Sequence, residues 1–172
     1  MNVYLKLMEK QLHFAIIGCG KIAPRHAAEA AKHGQLVAVC DIIKEKANLL
    51  AQQFSAKAYY TITDLLSHEK EIDIVSVCTP NGLHAEHSIQ SLQAGSHVLC
   101  EKPLTLKIAE YLALSKAVAE SKKVLFTVHN WQFAPIFQKA FSLIQKGRIG
   151  PVWHVEIFTL RNNVCADRKS VV

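Results

Sequence analysis

Short apolar runs alternate with stretches of helical period along this chain. The apolar runs are LHFAII (12–17), LVAVC (36–40), KAYY (57–60), DIVSVC (73–78), HVLC (97–100) and VLFTV (124–128). Between and after them, spacings of three and four predict helices near 22–33, 44–54, 83–94, 105–121 and 135–146. The predicted strands are apolar at consecutive positions rather than alternating, as strands covered on both faces must be. Strand–helix alternation of this kind predicts a doubly wound α/β fold with a mostly parallel sheet.

The pattern changes near residue 147. KGRIGPV supplies two glycines and a proline, and WHVEIFTL then alternates as a new strand would. Residues 1–123 are therefore read as the doubly wound domain and 124–150 as a crossover segment. Residues 151–166 are read as the start of a truncated second α+β domain. The last six residues, DRKSVV (167–172), back-translate to GATCGGAAGAGCGTCGTG. That string matches a sequencing-library adapter, so they are set aside as a non-native tail.

Composition narrows the classes. Of 172 residues half are hydrophobic, enough for one domain with a real core. The net charge of +6 is spread without a long basic run, which argues against a nucleic-acid partner. The longest uncharged stretch, VLFTVHNWQFAPIFQ, carries His, Asn, Gln and Pro, which argues against a membrane span. The five cysteines form no CxxC pair, and four lie in or beside apolar runs, the usual place of a buried free thiol. That usage fits a reducing, cytoplasmic setting.

Candidate chemistry gathers where strands end. IIGCGKIA (16–23) is a GxGxxA loop between a strand and a helix. Gly18 would make the tight turn and Gly20 would let the backbone approach a pyrophosphate. Lys21 and Ile22 lead into the helix N-terminus that faces the phosphates. Asp41 follows Gly20 by twenty-one residues at the end of the second strand, where a carboxylate accepts from both ribose hydroxyls of NAD. A 2′-phosphate would meet it at about 4 Å, costing roughly 1–4 kcal/mol, so NAD is expected over NADP, with Lys44 near enough to soften the difference. Thr79, Pro80 and Asn81 end the fourth strand as a rigid loop that can line the nicotinamide ribose. His84, near the start of the next helix, is expected to touch cofactor or substrate. His84 and His87 are three apart with no third ligand nearby, so no metal site is expected. LCEKPLTL (99–106) ends the fifth strand in Glu101 and Lys102. Pro103 fixes the turn through a bond that can be cis, and Thr105 is the expected cap of the next helix.

Together, GxGxxA, Asp41, a TPN loop followed by a helical His, and EKP resemble the N-terminal half of the Gfo/Idh/MocA oxidoreductases, over about residues 12–160. The resemblance implies a Rossmann domain and an NAD-dependent enzyme that moves hydride between nicotinamide and a sugar, sugar-nucleotide or cyclitol hydroxyl. It implies that Lys102 contacts both the reacting hydroxyl and the nicotinamide, and that the full-length protein is a homo-oligomer. IAPRHAAEA (22–30) is similar to the UDP-N-acetylglucosamine-type 3-dehydrogenases of that family. The family's further catalytic Asp and His lie on a second-domain helix with no counterpart here, so the fragment is expected to be inactive alone. HNWQFAP (129–135) matches the crossover segment; His129, Asn130 and Gln132 are candidate polar contacts, and packing around Trp131 and Phe133 is the expected reading. Two other readings stay open: a non-enzymatic NAD-binding module, and the Rossmann half of another two-domain reductase.

Overall fold

The computed structural model describes residues 11–156. These fall in two compact units, divided between Val128 and His129. In the first, six strands form one parallel sheet: β1 (Leu12–Ile17), β2 (Gly34–Cys40), β3 (Lys57–Tyr59), β4 (Ile74–Val77), β5 (His97–Cys100) and β6 (Leu125–Thr127). Their order across the sheet is β3-β2-β1-β4-β5-β6. The chain runs outward from β1 to β3, then returns to lay β4 against β1. The β1–β4 boundary is therefore the point where strand order reverses, the place where open α/β sheets bind ligands.

The unbroken apolar runs are explained by two cores. Ala15 and Ile17 face one side, with Val75 and Val77, beneath α3 (Ile62–His68), α4 (His84–Gln93) and α5 (Ile108–Ser121). Leu65, Leu92 and Leu114 enter that core from those three helices. Ile16 and Val39 face the other side, under α1 (Ala23–His33) and α2 (Lys44–Phe54). There Ala23, Ala27 and Ala47 are all fully buried. Alanine at these positions lets a helix lie close to the sheet, and close packing contributes dispersion contacts on both sides.

Several expected boundaries shift. β2 starts two residues early, at Gly34, because that glycine lies against the Leu12 carbonyl where a side chain has no room. α3 was not expected. It is seven residues long, too short to show a period, and is started by Thr61, whose Oγ1 accepts from the Asp64 amide at 3.1 Å. α5 begins at Ile108 rather than 105, and Thr105 does not cap it. Instead Glu110, in the first turn, reaches back to accept from the Leu106 amide at 3.0 Å. The run 124–128, predicted as a strand and assigned to the crossover segment, forms β6, paired in parallel with β5.

The second unit contains a 3₁₀ turn (Asn130–Phe133) and α6 (Pro135–Gln145). Phe133 is 58% exposed. Residues 153–156 are not a strand, and the rest of the expected WHVEIFTL strand lies outside the described residues. So does the tail 167–172. No helix among the described residues is long and apolar enough to cross a membrane.

Candidate functional site

The carboxyl ends of β1, β2, β4 and β5 lie side by side, and each carries one of the sequence motifs. Gly18 leaves β1 with φ +91°, a conformation that side-chain-bearing residues rarely adopt. A Cβ there would stand 2.7 Å from the backbone of Cys78 and Thr79, so the glycine loop and the end of β4 touch. The Gly18 amide donates to the Cys40 carbonyl at 2.7 Å, which ties the same loop to β2. Gly20 is different: a Cβ would meet nothing within 4 Å. That open space lies just before α1, whose first turn has no side-chain cap. The Ala23 and Arg25 amides there already donate to the Gly20 and Ile22 carbonyls and Pro24 has no N–H, so the fit to a pyrophosphate rests on the positive end of the helix dipole and the open space beside Gly20.

Asp41 follows β2. Its Oδ2 accepts from the Cys19 amide at 2.7 Å and its Oδ1 from the Ile43 amide at 2.8 Å. Each carboxylate oxygen accepts more than one hydrogen bond, so both keep capacity for ribose hydroxyls. The two amide bonds aim the carboxylate and hold the glycine loop to β2. Lys44, expected to soften the charge of Asp41, has its ammonium 5.0 Å from the centroid of the Tyr60 ring.

Beyond β4, Thr79, Pro80 and Asn81 form the expected loop, and Asn81–Leu83 is a 3₁₀ turn leading into α4. The Thr79 hydroxyl lies 3.2 Å from His87 Nδ1. Burial lowers the His87 imidazole below its ordinary 6.5; Glu86 opposes the shift and His84 adds to it. His84 does not face the crevice. It is 1% exposed, with both ring nitrogens against main-chain carbonyls, so the expected direct contact with cofactor or substrate is replaced by a place beneath the loops.

After β5 the chain turns through Glu101, Lys102 and a cis Lys102–Pro103 bond. Lys102 is exposed, and among the described residues its ammonium is in no ion pair. Glu101 is largely covered. Its Oε1 accepts from His26 Nε2 at 3.0 Å, and its Oε2 accepts from the Lys102 amide at 3.2 Å. His26, on the first turns of α1, was not singled out from the sequence. Its partner lies 75 residues away, and the only local signal was its position in IAPRHAAEA.

Cys19, Cys40, Cys78 and Cys100 are free and buried around these strand ends. Burial, with Asp41 and Cys40 adding to it, pushes the Cys19 thiol up to about 12. Burial first, then Asp41, pushes Cys40 to about 11. Thiols held so far above neutral pH are protonated and poor nucleophiles, so they act as small apolar side chains. Among the described residues no group of three or more His, Cys, Asp or Glu side chains is arranged to hold a metal ion. His129, Asn130 and Gln132 belong to the second compact unit.

Comparison with known proteins finds relatives over most of the chain. The chain is 31% identical over 153 residues to D-glucoside 3-dehydrogenase of Escherichia coli, covering 87% of this chain and 44% of that protein. It is 31% identical over 148 residues to inositol 2-dehydrogenase of Rhizobium meliloti, covering 85% of this chain and 44% of that protein. Among solved structures, the WlbA dehydrogenase of Chromobacterium violaceum, in complex with NADH and UDP-GlcNAcA, superimposes with a TM-score of 0.78 at 32% identity. That match covers 83% of this chain and 42% of the WlbA chain. The chain thus spans less than half the length of these relatives. Residues 12–129 match the Gfo/Idh/MocA family, described as an oxidoreductase family with an NAD-binding Rossmann fold. With the glycine loop, Asp41, the TPN loop and EKP all on one sheet edge, the chain belongs to the Gfo/Idh/MocA oxidoreductase family.

Proposed function

We propose that this chain is the NAD-binding half of a dehydrogenase acting on a secondary hydroxyl of a sugar, sugar nucleotide or cyclitol. The observation that carries the proposal is the convergence of four strand ends on one crevice at the β1–β4 reversal. Open space at Gly20 and the positive end of the α1 dipole fit a pyrophosphate, and Asp41 fits an adenosine ribose. The loop Thr79, Pro80, Asn81 is assigned to the nicotinamide ribose. Lys21, Ile22 and Glu101 complete the cofactor wall. The carboxylate of Asp41 favours NAD over NADP, because a 2′-phosphate would add like charge beside it.

NAD, when bound, supplies the hydride acceptor. The role assigned to this chain is electrostatic. The exposed Lys102 ammonium, beside the substrate hydroxyl, stabilises negative charge as that hydroxyl gives its proton to a general base of the longer form. Glu101 fixes the backbone that carries Lys102 by accepting from its amide. Names of the relatives favour the substrate class: a glucoside and an inositol for two, and a bound UDP-sugar acid for a third. The four buried free thiols fit a reducing compartment, and we place the protein in the cytoplasm. The relatives are longer, so catalysis is assigned to a form that carries the remainder of their length, and assembly into homo-oligomers is proposed for that form alone.

The test compares Lys102→Met with wild type in that longer form, using NAD and a panel of sugars, UDP-sugars and inositols. Turnover should fall at least about a hundredfold, the scale of a lost electrostatic or acid–base group, while NADH affinity changes little. Turnover that barely moves would reduce Lys102 to a rim charge. No activity on any member of the panel, with NADH still bound, would favour a non-enzymatic binding module.

A further inference from the structure

One buried side chain in this region is not used by the cofactor assignments. His84 opens α4, and its 1% exposure keeps it from any ligand in solvent. Its Nδ1 lies 2.6 Å from the Pro103 carbonyl and its Nε2 lies 2.8 Å from the Thr79 carbonyl. A carbonyl only accepts, so the ring serves purely as a donor: a neutral ring donates to one of the two at a time, exchanging between them, and a protonated ring donates to both at once. The two carbonyls belong to different loops. One begins the Thr79, Pro80, Asn81 loop after β4; the other is next in sequence to Lys102 after β5. From the opposite side, His26 on α1 holds Glu101 of the same Lys102 loop.

We infer that His84 is a positioning residue: it clips the loop after β4 to the loop after β5 from beneath, and so sets the spacing between Asn81 and Lys102. A histidine that merely filled space would not need an acceptor on each nitrogen. Its two nitrogens also make separable predictions, because Asn places an amide near the position of Nδ1 and Gln places one near that of Nε2. The inference rests on the NAD reading of the crevice for its meaning, but its first measurement does not depend on that reading.

The experiment uses the 172-residue chain as wild type, His84→Phe, His84→Asn and His84→Gln. Amide hydrogen exchange is followed in segments 79–83 and 101–106 and in β1, and each protein is titrated with NADH. In His84→Phe both loops should exchange about tenfold faster or more, the size of one buried hydrogen bond, while β1 is unchanged. The NADH dissociation constant should rise by a similar factor. His84→Asn should keep segment 101–106 protected and loosen 79–83, and His84→Gln should do the reverse. Loop exchange equal to wild type in His84→Phe overturns the inference, and so does faster exchange spread equally through β1. If His84→Phe does not fold, the Asn and Gln variants decide, and the same pattern in both overturns it. A wild-type chain that fails to bind NADH would sink the NAD reading, while the exchange pattern would still judge the clip.

Discussion

Gly18 and Gly20 are two residues apart in one motif, yet the structure gives them opposite sensitivities to the same substitution. At Gly18, alanine would have to hold φ +91° and place its Cβ 2.7 Å from three backbone atoms of Cys78 and Thr79. Left-handed backbone costs a non-glycine residue about 1–2 kcal/mol. Forcing atoms into a filled space costs a further ~1–3 kcal/mol, and here the obstacle is backbone, which cannot rotate aside. Gly18→Ala should therefore lose about 2–5 kcal/mol, a large share of the ~5–15 kcal/mol that holds a typical domain folded. At Gly20 the same methyl meets nothing within 4 Å, so Gly20→Ala should stay within about 0.5 kcal/mol of wild type. The methyl would instead stand in the space assigned to the pyrophosphate, and NADH affinity should fall at least tenfold, or about 1.4 kcal/mol. Urea denaturation of the three proteins, with NADH titration by fluorescence, reads both effects. A Gly18→Ala protein as stable as wild type would refute the steric argument. A Gly20→Ala protein that binds NADH normally would refute the phosphate site.

The remaining expectations address charge and burial. Asp41→Ser should narrow the preference for NADH over NADPH by at least about fivefold, the lower end of the like-charge cost at 4 Å. Wild type that binds NADPH as tightly as NADH would remove Asp41 from that role. His87 titrates below its ordinary 6.5 in the folded chain because of burial, so the unfolded chain binds more protons on the acid side. Stability should therefore be intact above pH 6.5 and decline as pH falls below it toward the lowered value, and His87→Gln should flatten that decline. Urea midpoints between pH 5 and 8 measure it; identical slopes would refute the burial argument. In a Cys165→Ser background, Cys19, Cys40, Cys78 and Cys100 should resist a thiol reagent at pH 8 until urea is added, since all four are buried and free. Rapid labelling without urea would refute it.

Most of the fold was legible because burial on both faces leaves a plain mark: runs such as FAII (14–17) and LVAVC (36–40) are apolar at consecutive positions, with no polar alternation to explain away. Strand ends were legible too, and with them the residues that could reach a shared crevice. What escaped was set by contacts that no local window contains. α3 is too short for a period, although Thr61 three residues before Asp64 was a usable start signal. Thr105 looked like a cap, but the helix starts at Ile108 with no side-chain cap, and Glu110 accepts from the Leu106 amide just before it. His26 was hidden because its partner, Glu101, is 75 residues away. His84 had the right neighbourhood but the wrong direction: the 3₁₀ turn Asn81–Leu83 leads into α4 so that the ring lies under the loops rather than over them.

Several polar groups at the crevice are already engaged within the chain. Asp41 accepts from the Cys19 amide across the β1–β2 gap, and Glu101 from His26 across to α1. His84 spans the loops after β4 and β5, and the Gly18 amide donates to Cys40. Each bond joins two segments whose relative position a dinucleotide would otherwise have to fix on binding. Ordering loops and side chains draws on the free energy of association, about 0.5–1.5 kcal/mol for each mobile side chain immobilised. A crevice braced in this way meets that cost during folding, where burial and the parallel sheet already hold the strand ends. Lys102 differs in kind, since its backbone is braced through Glu101 while its ammonium is exposed and in no ion pair among the described residues. Fixed groups suit recognition of a constant cofactor, and a braced backbone with a free charge suits the role proposed for Lys102. That division makes Lys102 the side chain at this edge whose loss should be felt in chemistry more than in binding.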